Sequence, residues 1–399
     1  MIKKVLIVFG TRPEAIKMAP VIRQLRANPE RIKVWTCVTG QHRDMLDQVL
    51  TTFDVIPDID LDLMQVNQTP SQVAARVLSA LDPILDDLRP DTVLVQGDTT
   101  TVMAASIAAH YHHIQVGHVE AGLRTYDRFN PFPEEVNRVV TDHVSDLHFA
   151  PTPGACDNLL REGISRNNIF VTGNTVIDAL KWIAEQPIPP GLNSLFERLA
   201  ISNNGKPASR WLILVTAHRR ESFGEPIRDI CRALRTLAER KDVHLIYPVH
   251  RNPNVWGPVH ELLGKHPNIT LLPPVDYLTL VHIMKHSRLI LTDSGGIQEE
   301  APSLGVPVLV LRETTERPEA VEADAASLVG THPERIISEA SRLLDSQEAH
   351  IAMARAVNPY GDGQAARRIV DVLLTGTCME FASTIHYQLS GALKRALPG

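Results

Sequence analysis

Two carboxylates stand just beyond the ends of apolar runs in the first half of this chain, and a third opens a helix. They are Asp98 in VLVQGDTTT, Glu120 in VGHVEAGLRT and Glu134 in FNPFPEEVNRVV. Acids at strand tips suit acid–base chemistry, because a proton-handling group must project from a rigid element toward what it acts on. Asp98 has an alternative role, capping the following helix through its side chain. Glu134 shares a helix face with Arg138, four residues on, a spacing that equally suits a plain surface ion pair. Glu120 has no comparable local job.

The cations are placed in the same way. In VFGTRPEAIKMAP, Arg12 and Lys17 flank a helix start, with Pro13 suited to the first helical turn. With the helix dipole they could neutralise an anion, or they could be exposed surface cations. In ILVTAHRRESFG, His218 is followed by Arg219 and Arg220. That charge density beside an apolar run suits a phosphate site with a histidine able to donate or accept a proton. The stretch DSGGIQEEAPSLGVPVLV sets Ser294 as a helix cap and Gly295–Gly296 where a backbone could approach a ligand closely. The N–H groups of the next turn would face an anion, and Glu300 could reach ribose hydroxyls, as acids do in other nucleotide sites. Arg317 follows the next strand. Neither GxGxxG nor GxxxxGK occurs at these turns, so a nicotinamide, flavin or Walker-type site lacks its fingerprint.

These residues need strand ends to hold them. Short runs, apolar throughout, alternate with helix-like segments, as parallel strands covered on both faces require. Strands are expected at Val5–Phe9, Lys33–Thr39, Thr92–Gln96, Ile114–His118, Leu147–Ala150 and Ile169–Thr172. A second set falls at Trp211–Thr216, Val243–Pro248, Ile269–Leu272, Leu289–Thr292 and Val306–Leu311. The fold class is α/β: two doubly wound, Rossmann-like domains facing a cleft, where such sheets bind ligands. The expected division is 1–184, a linker at 185–209 rich in Pro, Asn, Ser and Gly, 210–364, and a C-terminal helix and tail at 365–399. That helix is expected to pack back across the junction.

Composition sets the outer bounds. The chain has 399 residues, 44% hydrophobic and 22% charged, ordinary for a globular protein of two domains. A net charge of −6 argues against wrapping nucleic acid or lying on anionic lipid. The opening MIKKVLIVFG reads as a buried strand rather than a signal peptide, and no apolar segment approaches the ~20 residues that cross a bilayer. Cys37, Cys156, Cys231 and Cys378 form no CxxC pair and read as reduced core thiols of a cytoplasmic protein. The tract HYHHIQVGH, with His110, His112, His113 and His118, has no common metal-site spacing. Surface and turn histidines are expected there.

Taken in order, FGTRPEAIKMAPVI, TGQHRDMLDQVL, GDTTT, VGHVEAGLRT, PEEVNR, TAHRRESFG, PVHRNPNV, TDSGGIQEEAPSLGVPVL and TTERPEAV resemble the non-hydrolysing UDP-N-acetylglucosamine 2-epimerase family. The resemblance runs from Met1 to about Leu374. It implies the glycosyltransferase B type of fold and reversible conversion of UDP-N-acetylglucosamine to UDP-N-acetylmannosamine, with no metal or nicotinamide cofactor. The product would feed bacterial surface polysaccharides. It implies nucleotide-sugar contacts from Arg12, Lys17, Asp98, Glu120, His218, Ser294, Gly295, Gly296, Glu300 and Arg317. It implies catalytic roles for Asp98, Glu120, Glu134, Arg138 and His218. It further implies a homodimer, and some members bind UDP-N-acetylglucosamine at a second, activating site, for which Gln41, His42 and His250 are candidates.

The chain departs from the pattern at Asp324–Ala325, where an Ala-Gly-Thr element is usual. A buried acid near the diphosphate would be unfavourable, so a different loop placement is expected. Near the uracil it has Val275 and Leu280 where a Gln and a Phe are expected, shifting base recognition toward backbone groups. Rival readings are a hydrolysing epimerase, a glycosyltransferase of the same architecture, and a nucleotide-sugar sensor without turnover.

Overall fold

The structure, a computed structural model, describes residues 2–40, 43–65, 68–201, 210–315 and 317–382, with the side chains of 43–45 left aside. Gln41 and His42 lie outside the described residues. Packing divides the chain into two units, Met1–Ala179 with Tyr360–Gly399, and Leu180–Pro359.

The first unit is built on seven strands: β1 (Lys3–Phe9), β2 (Ile32–Val38), β3 (Ile59–Asp60), β4 (Thr92–Gln96), β5 (Gln115–Val119), β6 (Leu147–Ala150) and β7 (Ile169–Val171). They lie in the order β3-β2-β1-β4-β5-β6-β7, and every pairing is parallel. Parallel strands need crossover helices, and helices on both faces explain why these runs are apolar throughout. Val5 to Phe9 are all fully buried. The order reverses direction between β1 and β4, so the loops after these strands diverge and leave room at their carboxyl ends.

The second unit repeats the plan with β8 (Trp211–Thr216), β9 (Val243–Pro248), β10 (Ile269–Leu272), β11 (Leu289–Thr292), β12 (Val308–Val310) and β13 (Ala326–Leu328). The order is β10-β9-β8-β11-β12-β13, again parallel, with its switch between β8 and β11. Helix Glu225–Ala238 buries Ile227, Ile230, Cys231, Leu234 and Leu237. That spacing is a single stripe, and each such side chain contributes about 1.5–3 kcal/mol of burial.

All eleven anticipated strands are present, six with the anticipated bounds. The edge strands β3 and β13 were not anticipated, being two and three residues long and only partly apolar. A helix, Pro190–Leu199, occupies the stretch expected to be a linker. Helix Ala365–Thr375 belongs to the first unit and packs against helix Arg12–Arg26. Asp178 caps it, accepting the N–H groups of Ala365 and Ala366 at 3.2 and 2.9 Å. Burial raises the Asp178 carboxyl to about 6.

Beyond that helix the chain runs beside β7. Phe381 N–H donates to Val171 O at 2.7 Å, Glu380 meets Arg166 at 2.7 Å, and the Phe381 ring is buried. The four cysteines are free. Burial pushes the Cys37 and Cys231 thiols up to about 12. Among the described residues no helix is long and apolar enough to cross a membrane.

Candidate functional site

Residues of the first unit gather at the switch between β1 and β4. The Thr11 hydroxyl caps helix Arg12–Arg26, and Glu14 completes a capping box. The Glu14 carboxylate is buried. It accepts the N–H of Gly10 at 2.9 Å, the N–H of Thr11 at 2.6 Å and the Thr99 hydroxyl at 2.7 Å. Burial raises its pKa, and these three donors, with the Thr11 hydroxyl, oppose the rise. The amides that might have faced an anion at this helix start are therefore occupied by the chain's own acid. Arg12 stands half-buried at the first helical position, and Lys17 reaches Glu120 in an ion pair.

Glu120 leaves β5 with φ of 68°, left-handed backbone that costs a side-chain-bearing residue roughly 1–2 kcal/mol. Its carboxylate also accepts from Gln96 Nε2 at 3.2 Å. Two residues on, Gly122 has φ of 86°, and a Cβ there would lie 2.3 Å from Ala155 O, so the turn is closed to any larger residue. Strain held between a strand end and so tight a turn marks Glu120 as placed rather than incidental.

Asp98 does not cap a helix. Thr99 caps Thr100–Tyr111 instead, and the Asp98 carboxylate meets Arg138 Nη2 at 2.6 Å. Arg138 also lies 3.4 Å from Glu135. The pairing with Glu134 that spacing suggested is not formed, because Arg138 reaches from helix Glu134–Val144 to the tip of β4. Glu135 is structural: buried, it accepts the N–H groups of Thr125 and Tyr126. Glu134 is half-buried, and its carboxylate has no hydrogen-bond or ion-pair partner among the described residues.

His118 is fully buried, which corrects the expectation of a surface or turn histidine, because β5 is interior to the sheet. Nδ1 lies 2.6 Å from Asp142 and Nε2 lies 2.7 Å from the carbonyl of Gly97, the residue before Asp98. Asp142 also accepts from Gly122 N–H at 3.2 Å and from Arg124 at 2.7 Å. Burial alone would raise the Asp142 carboxyl, but His118, Arg124 and His148 together bring it down to about 2. This network fixes the backbone beside both Asp98 and Glu120. His112 pairs with Asp82 and Asp86, and among the described residues no three potential ligands converge as a metal would require.

In the second unit, His218 follows β8 and Ser294 follows β11, on either side of that sheet's switch. Ser294 makes no side-chain cap, contrary to expectation; its N–H is taken by Thr292 Oγ1 at 2.9 Å. Helix Gly295–Glu300 therefore begins without the side-chain closure that Glu14 gives its counterpart. A Cβ built on Gly295 would meet nothing nearer than Arg219 Nη2 at 3.8 Å, and on Gly296 nothing nearer than Glu300 Oε1 at 3.6 Å. Neither glycine has positive φ. The fold itself thus has no need of glycine here.

Tyr277 donates its hydroxyl to Glu300 Oε2 at 2.9 Å. Arg317 pairs with Glu299, and the loop before it is tied down where the Thr315 hydroxyl donates to Gln298 at 2.6 Å. His250 stacks on His218 with ring centroids 5.4 Å apart. Asp324 is exposed with φ of 55°, so no buried acid arises there, and Val275 and Leu280 are half-buried. Sequence reasoning missed Glu14, Gln96, Tyr277 and Asp293. Only Asp293 carried a readable signal, a carboxylate closing an apolar strand.

Comparisons with known proteins agree with one another. A family model described as UDP-N-acetylglucosamine 2-epimerase matches residues 23–374. A Salmonella typhimurium protein named UDP-N-acetylglucosamine 2-epimerase is 54% identical over 93% of this chain and 98% of its own. The crystal structure of UDP-GlcNAc 2-epimerase from Neisseria meningitidis bound to UDP-GlcNAc superimposes with a TM-score of 0.82 at 48% identity, covering 93% of this chain and 99% of that one. A glycotransferase of kitacinnamycin, at 14% identity and a TM-score of 0.62 over 94% of this chain and 100% of that one, shares the fold alone. Strand-tip acids over one sheet, an uncapped glycine-led helix over the other, and agreement along nearly the whole length place this chain in the UDP-N-acetylglucosamine 2-epimerase family.

Proposed function

We propose that this protein interconverts UDP-N-acetylglucosamine and UDP-N-acetylmannosamine without hydrolysis, by eliminating and re-adding UDP. The observation that carries the reading is the glycine pair at Gly295–Gly296. Space that the chain does not need for its own packing is kept open at an uncapped helix start, where a diphosphate would meet N–H donors. Glu300, held by Tyr277, is suited to the ribose, and Arg317 and His218 to the diphosphate.

The chemistry follows from the substrate. The proton on the N-acetyl-bearing carbon has no adjacent ring carbonyl, so its direct removal is hard. Departure of UDP builds oxocarbenium character and makes that proton acidic. Arg12, His218 and Arg317 stabilise the charge developing on the diphosphate. One carboxylate removes the proton, leaving an unsaturated sugar and UDP. Delivery of a proton to the opposite face, with return of UDP, gives the epimer. Asp98, oriented by its ion pair with Arg138, and one of Glu120 or Glu134 share the two faces. Exclusion of water while the intermediate exists separates this reaction from hydrolysis.

The test is the proton spectrum of UDP-N-acetylglucosamine incubated with pure protein in deuterated water. The expected product is UDP-N-acetylmannosamine deuterated at the epimerised carbon. Product without deuterium rejects solvent proton exchange. Free N-acetylmannosamine with UDP indicates the hydrolysing reaction, and no change indicates a transferase or a sensor. A homodimeric, cytoplasmic enzyme belongs to the same reading, and light scattering of the pure protein tests its dimeric part.

A further inference from the structure

We infer that Asp293 is a positioning residue that fixes the tautomer and orientation of His218, an assignment that rests on His218 acting as proposed above. Asp293 is the residue after β11 and is fully buried. Its Oδ2 accepts two backbone donors, the N–H of His218 at 2.6 Å and the N–H of Arg219 at 2.7 Å. Its Oδ1 is equally buried and has no hydrogen bond, yet it lies 3.3 Å from His218 Nδ1.

A buried carboxylate oxygen without a donor is unfavourable, so the structure favours whatever group can supply one. His218 Nδ1 is within reach after a small turn of the ring. A proton held on Nδ1 leaves Nε2 as the atom that exchanges protons or, in the charged ring, donates to a departing oxyanion. The same carboxylate then stabilises the imidazolium as it forms. Joining β11 to the loop after β8 does not by itself require this side chain, since Asp293 N–H already donates to Thr216 O at 3.0 Å. One face of the ring is covered by His250, stacked at an interplanar angle of 16°. The charged and titratable groups around His218 are Asp293, His250, Arg219 and Glu221. Burial lowers the pKa of His218 most, with Asp293 the leading opponent of that shift. His218 is half-exposed, so the ring is held on one side and open on the other.

The first experiment uses the native protein. Nitrogen NMR of ¹⁵N-histidine-labelled enzyme should show neutral His218 protonated on Nδ1; a majority carrying the proton on Nε2 overturns the assignment. Asp293→Asn, near-isosteric and still able to accept the two backbone N–H groups, should lower kcat by about tenfold or more. UDP affinity should stay within about threefold, and the His218 titration should move to lower pH. A smaller loss of kcat overturns the proposal. In a His218→Asn background, Asp293→Asn should add less than about threefold, since the two act as one unit; a second loss as large as the first would show an independent, merely structural role. Should Asp293→Asn fail to fold, the tautomer measurement decides alone. Native enzyme without turnover would instead bring down the functional reading, leaving the tautomer result to stand on its own.

Discussion

At the scale of single residues, carboxylates of the same type hold different roles because their partners differ. Glu14 and Glu135 are committed to backbone N–H groups and hold turns, whereas Glu120 meets Lys17 and Gln96, and Asp98 meets Arg138. Turnover should therefore separate from folding. Glu120→Gln is expected to reduce kcat by about 100-fold or more while the UDP dissociation constant changes less than about threefold. Isothermal titration with UDP beside the coupled rate assay checks both halves, and near-normal turnover removes Glu120 from the catalytic set. The glycine pair makes a sharper case. Gly295→Ala and Gly296→Ala meet no close atom, and alanine is the better helix former by up to about 1 kcal/mol. Both variants should melt at or slightly above the native temperature while UDP binding weakens by about tenfold or more, or about 1.4 kcal/mol. Unchanged UDP affinity in both variants would refute the role given to this helix start.

At the scale of elements, the informative unit is the return of the chain into the first unit. Helix Ala365–Thr375 begins on the Asp178 carboxylate, which burial raises to about 6 from an ordinary value of 3.8. Because the folded state binds this proton more readily, its contribution is full below about pH 4 and is lost as pH rises toward about 6. Asp178→Asn keeps an acceptor for the Ala365 and Ala366 N–H groups and removes the titration. The stability of the variant relative to native protein should rise by about 2 kcal/mol between pH 4 and pH 7. Urea midpoints of both proteins at the two pH values check this, and a constant difference would contradict it.

At the scale of the whole molecule, both units use one plan. A parallel sheet reverses its strand order, and the loops at that reversal hold residues of the proposed site. What braces the first reversal is the His118–Asp142–Arg124 network beneath Asp98 and Glu120. With Asp142 held at about 2 against an ordinary 3.8, its contribution is complete above about pH 4 and disappears as pH falls toward 2. That loss is about 2 kcal/mol, and His118→Asn should shift the acid unfolding midpoint, followed by circular dichroism, to higher pH. An unshifted midpoint would mean the network adds nothing to acid resistance.

Sequence alone determined eleven of the thirteen strands among the described residues, because an apolar run covered on both faces reads the same in any context. It also determined the family motifs and the positions of Asp98, Glu120, His218 and Gly295–Gly296 at strand ends, since local pattern sets where a strand stops. Partnership was decided only by tertiary structure. Lys17 pairs with Glu120 across 103 positions of sequence, Arg138 chooses Asp98 over Glu134, and His118 lies buried against Asp142. Spacing along a chain constrains neighbours on one element, while a charge taken out of water is settled by whichever opposite group the packed sheet brings within reach.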